Sequence, residues 1–99
     1  MKETVLDITG CKELPELHER IRQAFGFPAY YGANLDALWD MGRDYIGNTD
    51  ERQERVLVKG ADTLPPELRA YFMEKVMLVL RNLEREKGNI RFEVEAGKE

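Results

Sequence analysis

The stretch that decides the fold is RVLVKG, residues 55–60. Val56, Leu57 and Val58 run without interruption between Arg55 and Lys59, and Gly60 closes the run. So short an apolar run, mostly β-branched and ended by glycine, reads as a strand. Its unbroken apolar centre predicts a strand covered on both faces, which is the habit of parallel sheets. Parallel neighbours are joined by long crossovers, so the segments on either side of this run are where helices belong.

Both sides supply them. Upstream, ELPELHERIRQAFGF, residues 13–27, places Leu14, Leu17, Ile21, Ala24 and Phe25 at helical spacing. Pro15 suits the first turn, Gly26 ends the helix and Pro28 forbids its continuation. A second helix starts at Asn34, whose side-chain oxygen can accept from the free N–H groups of the first turn. Leu35, Leu38, Trp39 and either Tyr45 or Ile46 face the core, and Gly47-Asn48 stops it. A polar loop from Thr49 to Glu54 then leads into the strand.

Downstream, ADTLPP breaks the chain before the longest helical pattern, Glu67 to Lys87. Leu68, Phe72, Val76, Val79, Leu80 and Leu83 form its stripe, Met73 and Met77 widen it, and Gly88 stops it. ETVLDI, residues 3–8, reads as a further strand ended by Thr9-Gly10. Ile90, Phe92 and Val94 alternate with Arg91, Glu93 and Glu95, the pattern of an edge strand with one wet face. The order predicts an α/β fold: one small domain over residues 1–99, with a three-stranded, mostly parallel sheet packed by helices.

With 42% hydrophobic and 34% charged residues, the composition excludes disorder and fibrous architectures. A formal charge of −4 argues against direct nucleic-acid binding and favours a basic partner. Cys11 is the only cysteine, so no internal disulfide forms, and no Cys/His cluster offers a zinc site. Neither strand-to-helix turn carries a GxGxxG or P-loop pattern, so no nucleotide cofactor and no small-molecule substrate are expected. There is no apolar run of membrane-spanning length and no secretory signal, and a cytoplasmic location is the expectation. His18 reads as a surface or capping residue and Cys11 as inert, so catalysis has nothing to stand on.

The second helix carries Asp36, Asp40 and Asp44 at i, i+4 and i+8, and like charges so placed repel. Asp36 lies in the first turn, where the helix dipole favours a negative charge; Asp40 and Asp44 have no such reason. Arg43, three residues after Asp40, offers the bland alternative of a local ion pair on a solvated face. Tyr30 and Tyr31, in the loop feeding the helix, are the residue type favoured at interfaces; one is expected to staple the loop to the core and one to be displayed.

Tyr30-Tyr31-Gly32 followed by Asn34-Leu35-Asp36-Ala37-Leu38-Trp39-Asp40 closely resembles the YYGxNLDALWD signature of the barstar family, intracellular protein inhibitors of small secreted ribonucleases such as barnase. The resemblance is sharp from Pro28 to Asp40 and topological elsewhere. It implies a non-catalytic inhibitor whose partner is a basic ribonuclease or nuclease toxin. Asp40 resembles the aspartate that occupies the enzyme's phosphate-binding site, Asp36 its companion at the catalytic rim, and Tyr30 the tyrosine that packs on the catalytic histidine. Gly32 and Asn34 match loop positions that lie in or shape the contact; Trp39, Arg43 and Asp44 complete the candidate set. An interface glutamate of the family falls near the neutral Asn82, with Glu84 and Glu86 one or two steps further on. The alternatives are an immunity protein against a delivered nuclease toxin, and an interaction module that docks a non-nuclease partner through the methionine-bearing helix.

Overall fold

The computed structural model describes residues 2–47 and 53–95. The elements follow the expected order. Strand β1 (Lys2–Asp7) leads to α1 (Leu14–Phe25) and α2 (Leu35–Tyr45), then β2 (Glu54–Lys59). A 3-10 turn (Ala61–Thr63) precedes a long helical rod made of α3 (Pro66–Tyr71), a π-helical turn (Phe72–Val76) and α4 (Met77–Lys87), and β3 (Ile90–Val94) follows. The expected stop at Asn48 and most of the Thr49–Glu54 loop lie outside the described residues.

The sheet order is β1-β2-β3 and both pairings are parallel, in registers that align Thr4 with Val56 and Val56 with Phe92. Both crossovers step the same way across the sheet, so right-handed connections lay all the helices on one face. Burial alternates accordingly. Leu6, Val56, Val58, Ile90 and Phe92 are buried, whereas Glu3, Val5, Arg55, Leu57, Arg91 and Glu93 lie on the opposite face and are exposed or half-exposed.

The expectation that β2 is covered on both faces is therefore wrong. Arg55 spans the bare side instead, reaching Glu3 at 3.1 Å and Glu93 at 2.8 Å.

Two glycines set the geometry. Gly60 ends β2 at φ +88, where a Cβ would lie 2.5 Å from the backbone nitrogen of Thr9, so only glycine lets the chain pass. Gly42 lets α2 approach α4: a Cβ there would stand 2.5 Å from Leu83 Cδ1. The long helix also differs from its expected regularity. Leu68, Phe72 and Val76 are all buried at a spacing of four, and an α-helix would rotate each by about 40° past the last. The π turn, in which the Met77 N–H bonds the Phe72 carbonyl, takes up that drift. Met77 joins the core as expected, but Met73 is exposed.

Candidate partner-binding surface

The loop before α2 is built from both ends. Gly26, left-handed at φ 71, ends α1, and Phe27 drops into the core. Tyr31 is buried and its N–H bonds the Pro28 carbonyl at 3.0 Å, so the chain turns sharply and leaves Tyr30 75% exposed. Asn34 caps α2 by accepting from the Ala37 N–H at 2.8 Å, while its amide donates to the Gly32 carbonyl at 3.3 Å. Ala33, between them, has φ 55, the left-handed region. The loop thus enters the helix through one strained residue and one cap.

Helix α2 buries Leu38 and Gly42 against the interior and leaves Asp36, Asp40 and Asp44 exposed on its other side. Arg43 does not pair with Asp40. Its guanidinium meets Glu86 of α4 at 3.2 Å and lies 5.8 Å over the Trp39 ring, which is itself half-buried against the core. Among the described residues Asp36 and Asp40 have no ion-pair partner. Arg43 is drawn off sideways to Glu86, and the carboxylates of Asp36 and Asp40 keep their charge toward solvent.

Asp40, Asp44, Arg43, Glu86 and Lys87 line a shallow, open concavity between α2 and α4. Glu86 therefore stands beside the stripe. Glu84 does not: it accepts from Arg81 at 2.8 Å and from the Phe92 N–H, facing β3. Asn82 is half-buried.

A family model described as Barstar (barnase inhibitor) matches residues 1–96. The chain belongs to the barstar family. It is also 40% identical over 40 residues to the Bacillus subtilis (strain 168) protein named "Putative ribonuclease inhibitor YrdF", a match over 40% of this chain and 44% of that protein. The chain thus spans less than half the length of that curated relative.

In this barstar-family chain the helix wheel left open whether Tyr45 or Ile46 faces inward. Ile46 is buried; Tyr45 packs edge-on to Phe27 at 5.8 Å and is 41% exposed. Tyr45 ionises above its ordinary range, through lost solvation first and then the neighbouring Tyr30 and Asp44. Tyr30 and Tyr45 so form an aromatic rim beside the acidic stripe. Sequence reasoning missed Tyr45 because Ile46 has already left the helix, with φ −94 and ψ 132, and the wheel does not apply to it.

His18 corrects the sequence reading outright. It is buried, not a surface or capping residue: Nδ1 lies 2.8 Å from the Tyr31 hydroxyl and Nε2 2.8 Å from that of Tyr71. Burial lowers its pKa and raises those of both tyrosines, Tyr31's further through Tyr71. Cys11 is buried as well, and burial pushes its thiol up, away from reactivity. Among the described residues no cluster of three or more His, Cys, Asp or Glu side chains could hold a metal ion, and no helix is long and apolar enough to cross a membrane.

Proposed function

We propose that this chain inhibits a small basic ribonuclease by placing α2 and the Tyr30 loop in the enzyme's active site. The supporting observation is the exposed, unneutralised pair Asp36 and Asp40 beside an exposed tyrosine, with Arg43 held away by Glu86. A site that grips RNA phosphates does so with Arg and Lys, and a carboxylate presents two coplanar oxygens that a guanidinium grips equally well. Asp40 then takes the place of a phosphate and Asp36 supports it at the catalytic rim. Tyr30 supplies contact area at low entropic cost, from a loop that Gly32 and Asn34 shape. Trp39, Arg43, Asp44, the newly located Tyr45, and Glu86 rather than Glu84 form the boundary that decides which nuclease fits.

The stripe also attracts a cationic enzyme from solution, an effect of which the barnase–barstar pair is itself a well-known illustration. On this reading residues 1–99 act as one non-catalytic inhibitor unit in the cytoplasm, without cofactor and without contacting nucleic acid. Whether it guards against its own cell's ribonuclease or a competitor's toxin is a difference of biology, since the surface chemistry is the same.

The test is cleavage of a fluorogenic RNA substrate by barnase and a panel of basic bacterial ribonucleases, with and without the protein. Stoichiometric inhibition of a panel member supports the reading, and full activity of every enzyme overturns it. A second reading, a module docking a non-nuclease protein, draws on the exposure of Met73 and Leu78 along the long helix. That mode is apolar, and raising salt would not weaken it.

A further inference from the structure

His18 is a buried titratable group for which inhibition by α2 has no use, and its surroundings give it one. The imidazole belongs to α1, yet it touches two other parts of the chain. Nδ1 meets Tyr31 in the loop and Nε2 meets Tyr71 at the end of α3, each at 2.8 Å. Tyr31 directly follows Tyr30, so the ring is the interior anchor of the segment that displays Tyr30.

Other contacts tie the segment down at its edges: Tyr30 is hydrogen-bonded to Tyr45, and the Asn34 amide donates to the Gly32 carbonyl at 3.3 Å. Apart from the His18 bond, Tyr31 is fixed by its own N–H to Pro28 at 3.0 Å and by ring contact with Phe27 at 5.1 Å.

A neutral imidazole serves both tyrosines at once: its N–H donates to one phenol oxygen, and its bare nitrogen accepts from the other phenol O–H. A protonated ring donates from both nitrogens. The phenol hydrogen that had been accepted must then turn away inside a buried site, and the new charge has no counter-ion. The titratable groups bonded to the ring are Tyr31 from the loop and Tyr71 from α3, and loss of solvation alone governs its titration, with no Asp, Glu, Lys or Arg charge contributing. Tyr71, the Nε2 partner, itself lines an open groove together with Lys12, Leu14 and Glu67, so the ring is one hydrogen bond from solvent-facing surface.

We propose that His18 is a positioning residue for the Tyr30 loop, and that taking up a proton frees this loop and weakens partner binding in mild acid. The proposal rests on the reading of α2 and the Tyr30 loop as the binding surface, but its first consequence belongs to the free protein. In an NMR titration from pH 8 to pH 5, the His18 ring, the Tyr31 amide and the Tyr30 ring should shift with one common midpoint. The Tyr31 amide should also begin to exchange with solvent at that midpoint while core amides such as Phe92 stay protected. Titration of His18 with Tyr30 and Tyr31 unmoved overturns the proposal, as does a ring that stays neutral until the whole molecule unfolds.

The second arm measures affinity for an inhibited ribonuclease across the same range, for the native chain and His18→Gln. The glutamine does not titrate, so the ratio of the two affinities cancels the enzyme's own pH dependence and isolates the acid step. At pH 8 the variant should bind roughly 3- to 10-fold more weakly, the cost of an ordinary hydrogen bond. In a Tyr30→Ala background the same change should cost nothing, because the residue being positioned is gone; an equal cost there overturns the proposal. If the loop loosens in the free protein but no ribonuclease binds, the ribonuclease reading fails while the loop release stands.

Discussion

At the scale of single residues, Asp40 is the sharpest test of the surface. The carboxylate has no ion-pair partner among the described residues and a like charge four positions away on either side. Asp40→Ala should raise the inhibition constant against a susceptible ribonuclease by roughly 30-fold or more, the scale of an interface hot spot. Urea unfolding of the same variant should show unchanged stability or a gain of about 0.2–0.5 kcal/mol, because self-repulsion is relieved. A destabilised variant that still inhibits fully would refute the assignment. Gly60 is the structural counterpart. Gly60→Ala forces a side chain onto the Thr9 backbone in a left-handed conformation, and should cost roughly 3 kcal/mol or more in urea unfolding.

At the scale of elements, α2 lies where packing on α4 puts it. A methyl group at position 42 raises intrinsic helix propensity by about 1 kcal/mol but drives into Leu83, and overpacking of that kind costs about 1–3 kcal/mol. Gly42→Ala should therefore lower stability by about 1 kcal/mol in chemical denaturation, against the trend for exposed helices. The helices and strands were largely legible in the sequence because their signals are local: the Asn34 cap, the Gly26 and Gly88 stops and the alternation from Ile90 to Val94 all hold. What failed depends on distant neighbours. The partners of His18 are 13 and 53 residues away, so its sequence surroundings of Leu17 and Glu19 hold no trace of them. Arg43 had Asp40 within reach along its own helix, yet the docking of α4 offers Glu86 instead. The run at 56–58 looked like a doubly covered strand because Leu57 is apolar, whereas its lateral neighbours in the sheet are Val5 and Glu93. The acidic motif was readable in full; Tyr45 required the fold, and so did the choice of Glu86 over Glu84.

At the scale of the molecule, pH divides the stability into windows. His18 has a lowered pKa in the folded state, so below its ordinary value of about 6.5 the unfolded chain takes up a proton that the folded one refuses, and stability falls with pH. Tyr31 and Tyr71 are raised, so above about pH 10 the unfolded chain ionises first and stability falls as pH rises. The buried Cys11 thiol is raised too, from an ordinary value of about 8.5, so urea midpoints should be level only between roughly pH 7 and 8 and decline on both sides, and His18→Gln should remove the decline between pH 6.5 and 5. Exposed carboxylates such as Glu19 and Glu93, lowered by Arg22 and Arg55, contribute only at more acid pH, where their stabilisation is lost as they protonate. Ionic strength reads the binding surface as a whole: association with a basic nuclease should slow steeply between low and physiological salt, while dissociation changes little. The one-directional winding of the sheet has a practical corollary. Helices occupy one side only, so the other side is free for handling, and Val5, half-exposed there, is where a dye, a surface tether or a fused carrier can be attached without shadowing the acidic helix.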